Sequence, residues 1–173
     1  MLKFKALIFL LTLVAMSGCS AHNATTPVQT EPSSTYLLQH SGVLSINGKR
    51  MALRGVLQLK PQQKAARVVI LNDMGMKLLV AEITADNASG YKSKKLFASP
   101  FLRMIPPFYA ESMRCIYVLF LAPQSATSRD LKIFSEGNKQ VGDQKFPAHT
   151  IIINPEGNYT LELFLNSGSK KDS

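Results

Sequence analysis

Leu44-Ser45-Ile46-Asn47-Gly48-Lys49-Arg50-Met51-Ala52-Leu53-Arg54-Gly55-Val56-Leu57-Gln58-Leu59-Lys60 decides the fold. Asn47-Gly48 is the pair that a two-residue hairpin turn asks for, because both central positions need positive φ. Before it, Leu44 and Ile46 share a side. After it, Met51, Leu53, Leu57 and Leu59 fall on one face, and Ala52, Arg54, Gln58 and Lys60 on the other. A period of two with one greasy and one wet side predicts an antiparallel strand pair packed on a core through a single face.

The same pattern recurs on either side. Pro61-Gln62-Gln63 interrupts it, and Arg67–Asn72 and Met76–Thr84 read as the next two strands. They are joined by Asn72-Asp73-Met74-Gly75, whose first and last residues suit a type I turn. A polar stretch follows, with a turn at Ser89-Gly90 and a short edge strand over Tyr91–Phe97. Pro106-Pro107 can open a helix. Over Phe108–Ala122 the residues Tyr109, Met113, Ile116 and Phe120 stand at helical spacing, with Glu111 and Arg114 paired on the wet side. Ile116–Leu121 is apolar throughout and reads equally as strand. Pro123 ends the element. Leu131 and Ile133 precede a turn expected at Glu136-Gly137-Asn138, with a weak strand over Lys139–Lys145. Ile151 and Ile153 share a side before the turn Asn154-Pro155-Glu156-Gly157, and Tyr159, Leu161, Leu163 and Leu165 align after it. The sum is a mainly β domain with a small α part. We expect a curved antiparallel sheet of about eight to nine strands under a helical lid, spanning residues 36–166, and a polar, frayed tail over residues 167–173.

The start of the chain says where this domain lives. In MLKFKALIFLLTLVAMSGCS, Lys3 and Lys5 form a basic opening, Ala6–Met16 is apolar, and Ser17-Gly18-Cys19 is small. That order is a secretory signal peptide over residues 1–18, and its apolar run is too short to span a bilayer. Met16-Ser17-Gly18-Cys19 resembles the lipobox of bacterial lipoproteins, which implies cleavage before Cys19 and acylation of that residue. Two or three chains at about 0.8 kcal/mol per buried CH2 hold almost permanently. Ser20 after the cysteine resembles an outer-membrane address, so the chain is expected to face the periplasm from that membrane. Residues 19–35 carry prolines, Ser and Thr with Val28 as the single larger aliphatic, which predicts a lipidated, disordered tether. Its sixteen residues from Ser20 span about 20–24 Å.

Without residues 1–18 the chain keeps 155 of its 173 residues, with 18 basic against 11 acidic side chains. A basic tethered surface suits anionic head groups, and nucleic acid is a poor partner for an exported chain. Lys92, Lys94 and Lys95 form the densest basic group, which fits a solvated strand edge before a lipid patch. Cys115 is left as the lone thiol in an apolar run, so it reads as buried and inert. His22, His40 and His149 show no metal-ligand spacing, and no nucleophile elbow, phosphate loop or dinucleotide fingerprint is present. Cys115 and His149 form a nucleophile pair only if folding joins them. We expect no enzyme, no metal and no cofactor.

One modest helix is little cover for so large a sheet, so its apolar face either leaves a greasy concavity or is filled by its own side chains. Met51, Met76, Met104 and Met113 are adaptable fillers that suit both.

The signal, the tether, the opening strand pair, Val69-Ile70-Leu71-Asn72-Asp73-Met74-Gly75-Met76-Lys77-Leu78, and the closing Phe146-Pro147-Ala148-His149-Thr150 through Asn154–Leu163 together resemble the LolA/LolB-like outer-membrane lipoprotein family. The likeness is one of order and spacing over most of Tyr36–Asn166. It implies a half-open barrel with a helical lid that binds acyl chains without a cofactor, and a turn-tip apolar residue that meets the membrane, here Met74. An apolar tip is itself unusual, since turns favour Gly, Asn, Asp, Ser and Pro. This chain departs from the family in having no tryptophan and one helix in place of several.

The resulting expectation is an outer-membrane lipoprotein that receives or transfers lipoproteins or other lipids. Its acyl-binding lining would be Leu53, Leu57, Leu59, Ile70, Leu79, Ile83 and Leu161, with a periplasmic carrier protein as a further partner. The alternative is a non-catalytic scaffold lipoprotein with a filled core, which binds a protein partner through its strand edges.

Overall fold

The computed structural model describes residues 34–88, 90–105, 107–123 and 130–172. The signal segment, Cys19, nearly all of the tether and Ser89 of the Ser89-Gly90 turn lie outside the described residues. The fold is mainly β. The strands are β1 (Thr35–Ile46), β2 (Lys49–Lys60), β3 (Ala65–Asn72), β4 (Lys77–Asp86), β5 (Gly90–Ala98), β6 (Lys132–Val141), β7 (Gln144–Asn154) and β8 (Tyr159–Lys171), with a short helix α1 (Phe108–Ile116) between β5 and β6. They form one sheet in the order β5-β4-β3-β2-β1-β8-β7-β6. Every neighbouring pair is antiparallel. Two meanders, β1–β5 and β6–β8, are thus joined where β8 pairs with β1, and the sheet stays open as a half-barrel with β5 and β6 at its edges.

Local chemistry places the turns. Asn47 and Gly48 take φ of 51° and 76°, the primed turn that matches strand twist. Between β3 and β4, Gly75 N–H donates to Asn72 O at 3.0 Å, and Asn72 N–H donates to Met76 O at 3.0 Å. Gly75 sits at φ 81°, where a side chain would strain the backbone. This leaves Met74 at the tip, 74% exposed.

Register aligns the core in rows across the inner face. Tyr36, Leu59, Ala66 and Ile83 form one row, and Leu38, Leu57, Val68 and Ala81 the next. All eight are buried. Above them α1 buries Phe108, Met113, Cys115 and Ile116. A nine-residue helix is marginal alone, so these contacts, at about 1.5–3 kcal/mol per large apolar side chain, hold it. The chain continues as a π-helical turn over Tyr117–Leu121, closed by Ala122 N–H donating to Tyr117 O at 2.8 Å. Ile116–Leu121 is therefore helical rather than strand.

Three boundaries differ from the sequence expectation. No turn forms at Glu136-Gly137-Asn138. β6 runs through it, Gly137 takes φ 64° within the strand, and the hairpin turns at Gly142-Asp143, between the paired Val141 and Gln144. The expected strand Lys139–Lys145 is accordingly split between β6 and β7. Ile151 and Ile153 of β7 do share a side, the outer one, and the core side chain between them is Ile152, paired with Leu161. The expected frayed tail over residues 167–173 is strand as far as Lys171, pairing with Thr35–Gln39 of β1 past an irregularity at Gln39/His40. Lys170 Nζ, 3.3 Å from both Asp143 and Asp172, and Ser34 Oγ, 3.4 Å from Asp172, fasten it.

Candidate functional site

Two glycines border the site, in different ways. On the inner face, Gly42 of β1 pairs with Leu53, and Gly55 of β2 pairs with His40. Where neighbouring strands carry leucines, these positions carry no side chain. At Gly42 the room is taken by Leu163 and the Glu162 carbonyl, which approach too closely for a Cβ. The space over Gly55, roofed by α1 and the turn after it, belongs to a chamber of about 110 Å³, open on one side. An engineered apolar cavity of about 150 Å³ takes benzene, so the chamber suits part of a hydrocarbon chain. Leu44, Leu53, Leu57, Ile70, Ile116 and Leu161 supply much of its wall.

Four of the seven expected lining residues, Leu53, Leu57, Ile70 and Leu161, border the chamber. The other three, Leu59, Leu79 and Ile83, are at most 2% exposed and lie in the packed core instead. They share the inner face but sit where side chains from neighbouring strands already meet. The sequence reading missed His40, Gly42, Gly55 and Phe120. The signal was present for three of them: two glycines and a histidine interrupt an otherwise apolar face on paired strands.

Two of the polar places on the chamber wall matter most for its chemistry. Glu111 of α1 accepts from Tyr159 Oη at 2.8 Å and from Asn154 Nδ2 at 3.3 Å. Arg114 lies 3.8 Å from Glu111 and 2.8 Å from Asp130, so the expected Glu111–Arg114 pair forms but is the looser of the two. Burial pushes the Tyr159 phenol well above its ordinary pKa. Cys115 Sγ is 3.5 Å from the same phenol, and burial pushes its thiol up to about 11. The second place is His40, whose ring meets Phe120 edge-on at 6.0 Å between centroids. Burial pushes its pKa down to about 4, so it is neutral at ordinary pH. A smaller cavity of about 20 Å³ adjoins here, sharing His40, Leu119, Phe120 and Leu163 with the chamber.

Cys115 and His149 are not brought together. His149 belongs to the outer face, stacked on Phe164 at 4.4 Å and 2.9 Å from Glu162. Among the described residues, no group of three or more His, Cys, Asp or Glu is placed to hold a metal ion, and no helix is long and apolar enough to cross a membrane.

Met74 projects from the β3–β4 turn beside Met76, which is 55% exposed. Val80 pairs with Phe97 and Leu79 with Ala98, so the end of β5 lies at this same end of the sheet. Phe97, Phe101 and Met104 are exposed there or just beyond in sequence, and Lys77 Nζ stands 6.0 Å from the Phe97 ring centre. The described domain begins at Ser34 at the opposite end, where Tyr36 pairs with Leu59. Of the basic group, Lys92 is held 2.9 Å from Asp86 and Lys95 lies 5.2 Å from the Tyr109 ring centre. Both sit on the exposed edge strand β5. No family model matches the chain, and no curated protein matches its sequence.

Proposed function

We propose that this protein is a lipid-handling lipoprotein of the outer membrane, held there by acylated Cys19, that takes acyl chains of lipoproteins or other lipids into its half-barrel. The observation that carries the reading is the apolar chamber on the inner face, kept open at Gly55 rather than filled. Burying a chain there gains about 25 cal/mol for each Å² of apolar surface removed from water, with no charge to desolvate on the ligand tail. The apolar end bearing Met74, Met76 and Phe97, with Lys77 beside it, supports contact with a bilayer, to which each basic residue adds about 1 kcal/mol near anionic head groups. The resemblance of the sequence, in order and spacing, to the LolA/LolB-like family supports this reading and suggests a periplasmic carrier protein as donor.

The test is Met74→Glu. With its side chain exposed, the variant folds with unchanged stability but loses binding to anionic vesicles and transfer of lipid into them. Undiminished vesicle binding and transfer would remove the tip from the account.

A second reading, a scaffold that works through a strand edge, draws on β6. That edge strand is exposed over most of its length and carries Phe134 at 55% exposure. A binder of this kind carries no lipid, so lipid content separates the two.

A further inference from the structure

The acyl-binding reading leaves His40 without a role. It stands on the inner face of β1 among Tyr36, Leu38, Gly42, Leu44 and Ile46, with Gly55 and Leu165 opposite it on the flanking strands and Phe120 above. Among the described residues its ring has no hydrogen-bond or ion-pair partner. It borders both the chamber and the adjoining cavity, so it sits at their junction. No buried side-chain nitrogen or oxygen among the described residues lacks a partner, so the ring nitrogens of this half-buried imidazole open onto the cavity space, where a ligand oxygen can replace the water that meets them.

We propose that His40 is the polar handle of the chamber. The ligand it selects is an acyl or alkyl chain bearing a neutral oxygen function, an ester or a hydroxyl, in preference to a free fatty acid or a plain hydrocarbon. This rests on the acyl-binding reading above and names the ligand class for it. The imidazole N–H donates to an ester carbonyl or a hydroxyl oxygen, and the other ring nitrogen accepts from a hydroxyl. An ionised carboxylate fares worse for two reasons. First, its burial calls for a cation, and burial already keeps the His40 ring from becoming one. Second, the charged side chain that faces the chamber is itself an acid, Glu111; Arg54 borders the chamber from β2 but alternates with Leu53 and Gly55 and is exposed on the other side. A hydrocarbon binds by burial alone and leaves the imidazole as it was.

The experiment displaces a fluorescent apolar probe from Ser20–Ser173, which contains every core residue of the domain, with hexadecane, hexadecanol, palmitate and its methyl ester. The expected order places the ester and the alcohol about tenfold tighter than palmitate and hexadecane, the worth of one net hydrogen bond. His40→Leu then levels ester, alcohol and hexadecane, while His40→Gln, which keeps a neutral donor and acceptor, retains the preference. Equal binding of all four ligands by the unaltered chain would overturn the His40 assignment and leave acyl binding standing. A preference for palmitate that His40→Leu abolishes would overturn the neutral-ligand class. Binding of none of them would remove the acyl-binding reading itself, and the handle with it.

Discussion

Gly55 lies directly opposite His40 across the β1–β2 ladder, and a Cβ built on it would meet nothing nearer than the His40 Cβ, at 3.9 Å. Gly55 is also absent from the positive-φ residues, so its backbone accepts any L side chain. The glycine is therefore not needed for the strand. It is needed for the space.

Gly55→Leu fills that space at no backbone cost. Loss of unfolded-state freedom contributes about 0.4–1 kcal/mol of stability, and cavity filling adds to it. We expect an unfolding midpoint raised by a few degrees together with at least a tenfold loss of acyl-chain affinity, read by calorimetry and by probe displacement. Gly42 offers no such test, because a Cβ there would come within 2.5 Å of Glu162 O.

Tyr159→Phe removes the shortest hydrogen bond to Glu111 and leaves that carboxylate with Asn154 and Arg114. The expected cost is about 1–3 kcal/mol by urea unfolding. Glu111→Ala in the Tyr159→Phe background then costs less than it does alone. Strict additivity would show that the two groups do not act together.

The Cys115 thiol, pushed up to about 11 and 4% exposed, is almost wholly protonated at neutral pH. Ser20–Ser173 therefore resists thiol reagents while folded and takes one label per chain when unfolded. Rapid labelling of the folded protein would contradict the packing of α1 on the sheet.

His40 gives stability a definite pH dependence. Its folded pKa of about 4 lies below the ordinary value of 6.5, so between these values the unfolded chain binds a proton that the folded chain does not. Stability from this group is thus fully present above about pH 6.5, falls as pH drops toward 4, and levels below that. The total is about 3 kcal/mol. The difference between the parent and His40→Phe, followed by urea unfolding from pH 7 to 4, isolates it from the carboxylates. A constant difference would show that the ring is not held neutral.

The legible parts of the fold are those where one residue type has one physical use. Asn47-Gly48 names a primed turn because both positions need positive φ, and the alternation from Met51 to Leu59 names an inner face. Gly137 and Gly142 defeat such reading, since both take positive φ and only one of them turns the chain. What decides is the pairing of Val141 with Gln144, a relation between strands that neither stretch states alone. The run Ile151-Ile152-Ile153 hides its phase for the same reason, until Ile152 meets Leu161. Residues 167–171 carry no apolar period at all and become strand because β1 offers them a ladder. At the site, an inner-face list finds Leu53, Leu57, Ile70 and Leu161 but cannot separate them from Leu59, Leu79 and Ile83. Lining depends on which neighbours leave room, and that is a property of Gly55.

Lipid handling requires that the chamber hold a chain. The direct measurement is native mass spectrometry of Ser20–Ser173 isolated without its anchor, before and after exposure to acyl esters. We predict bound lipid approaching one molecule per chain, lost in Gly55→Leu. A chain that carries no lipid and takes up none would contradict lipid handling and leave an open β sheet whose work is done at its edges.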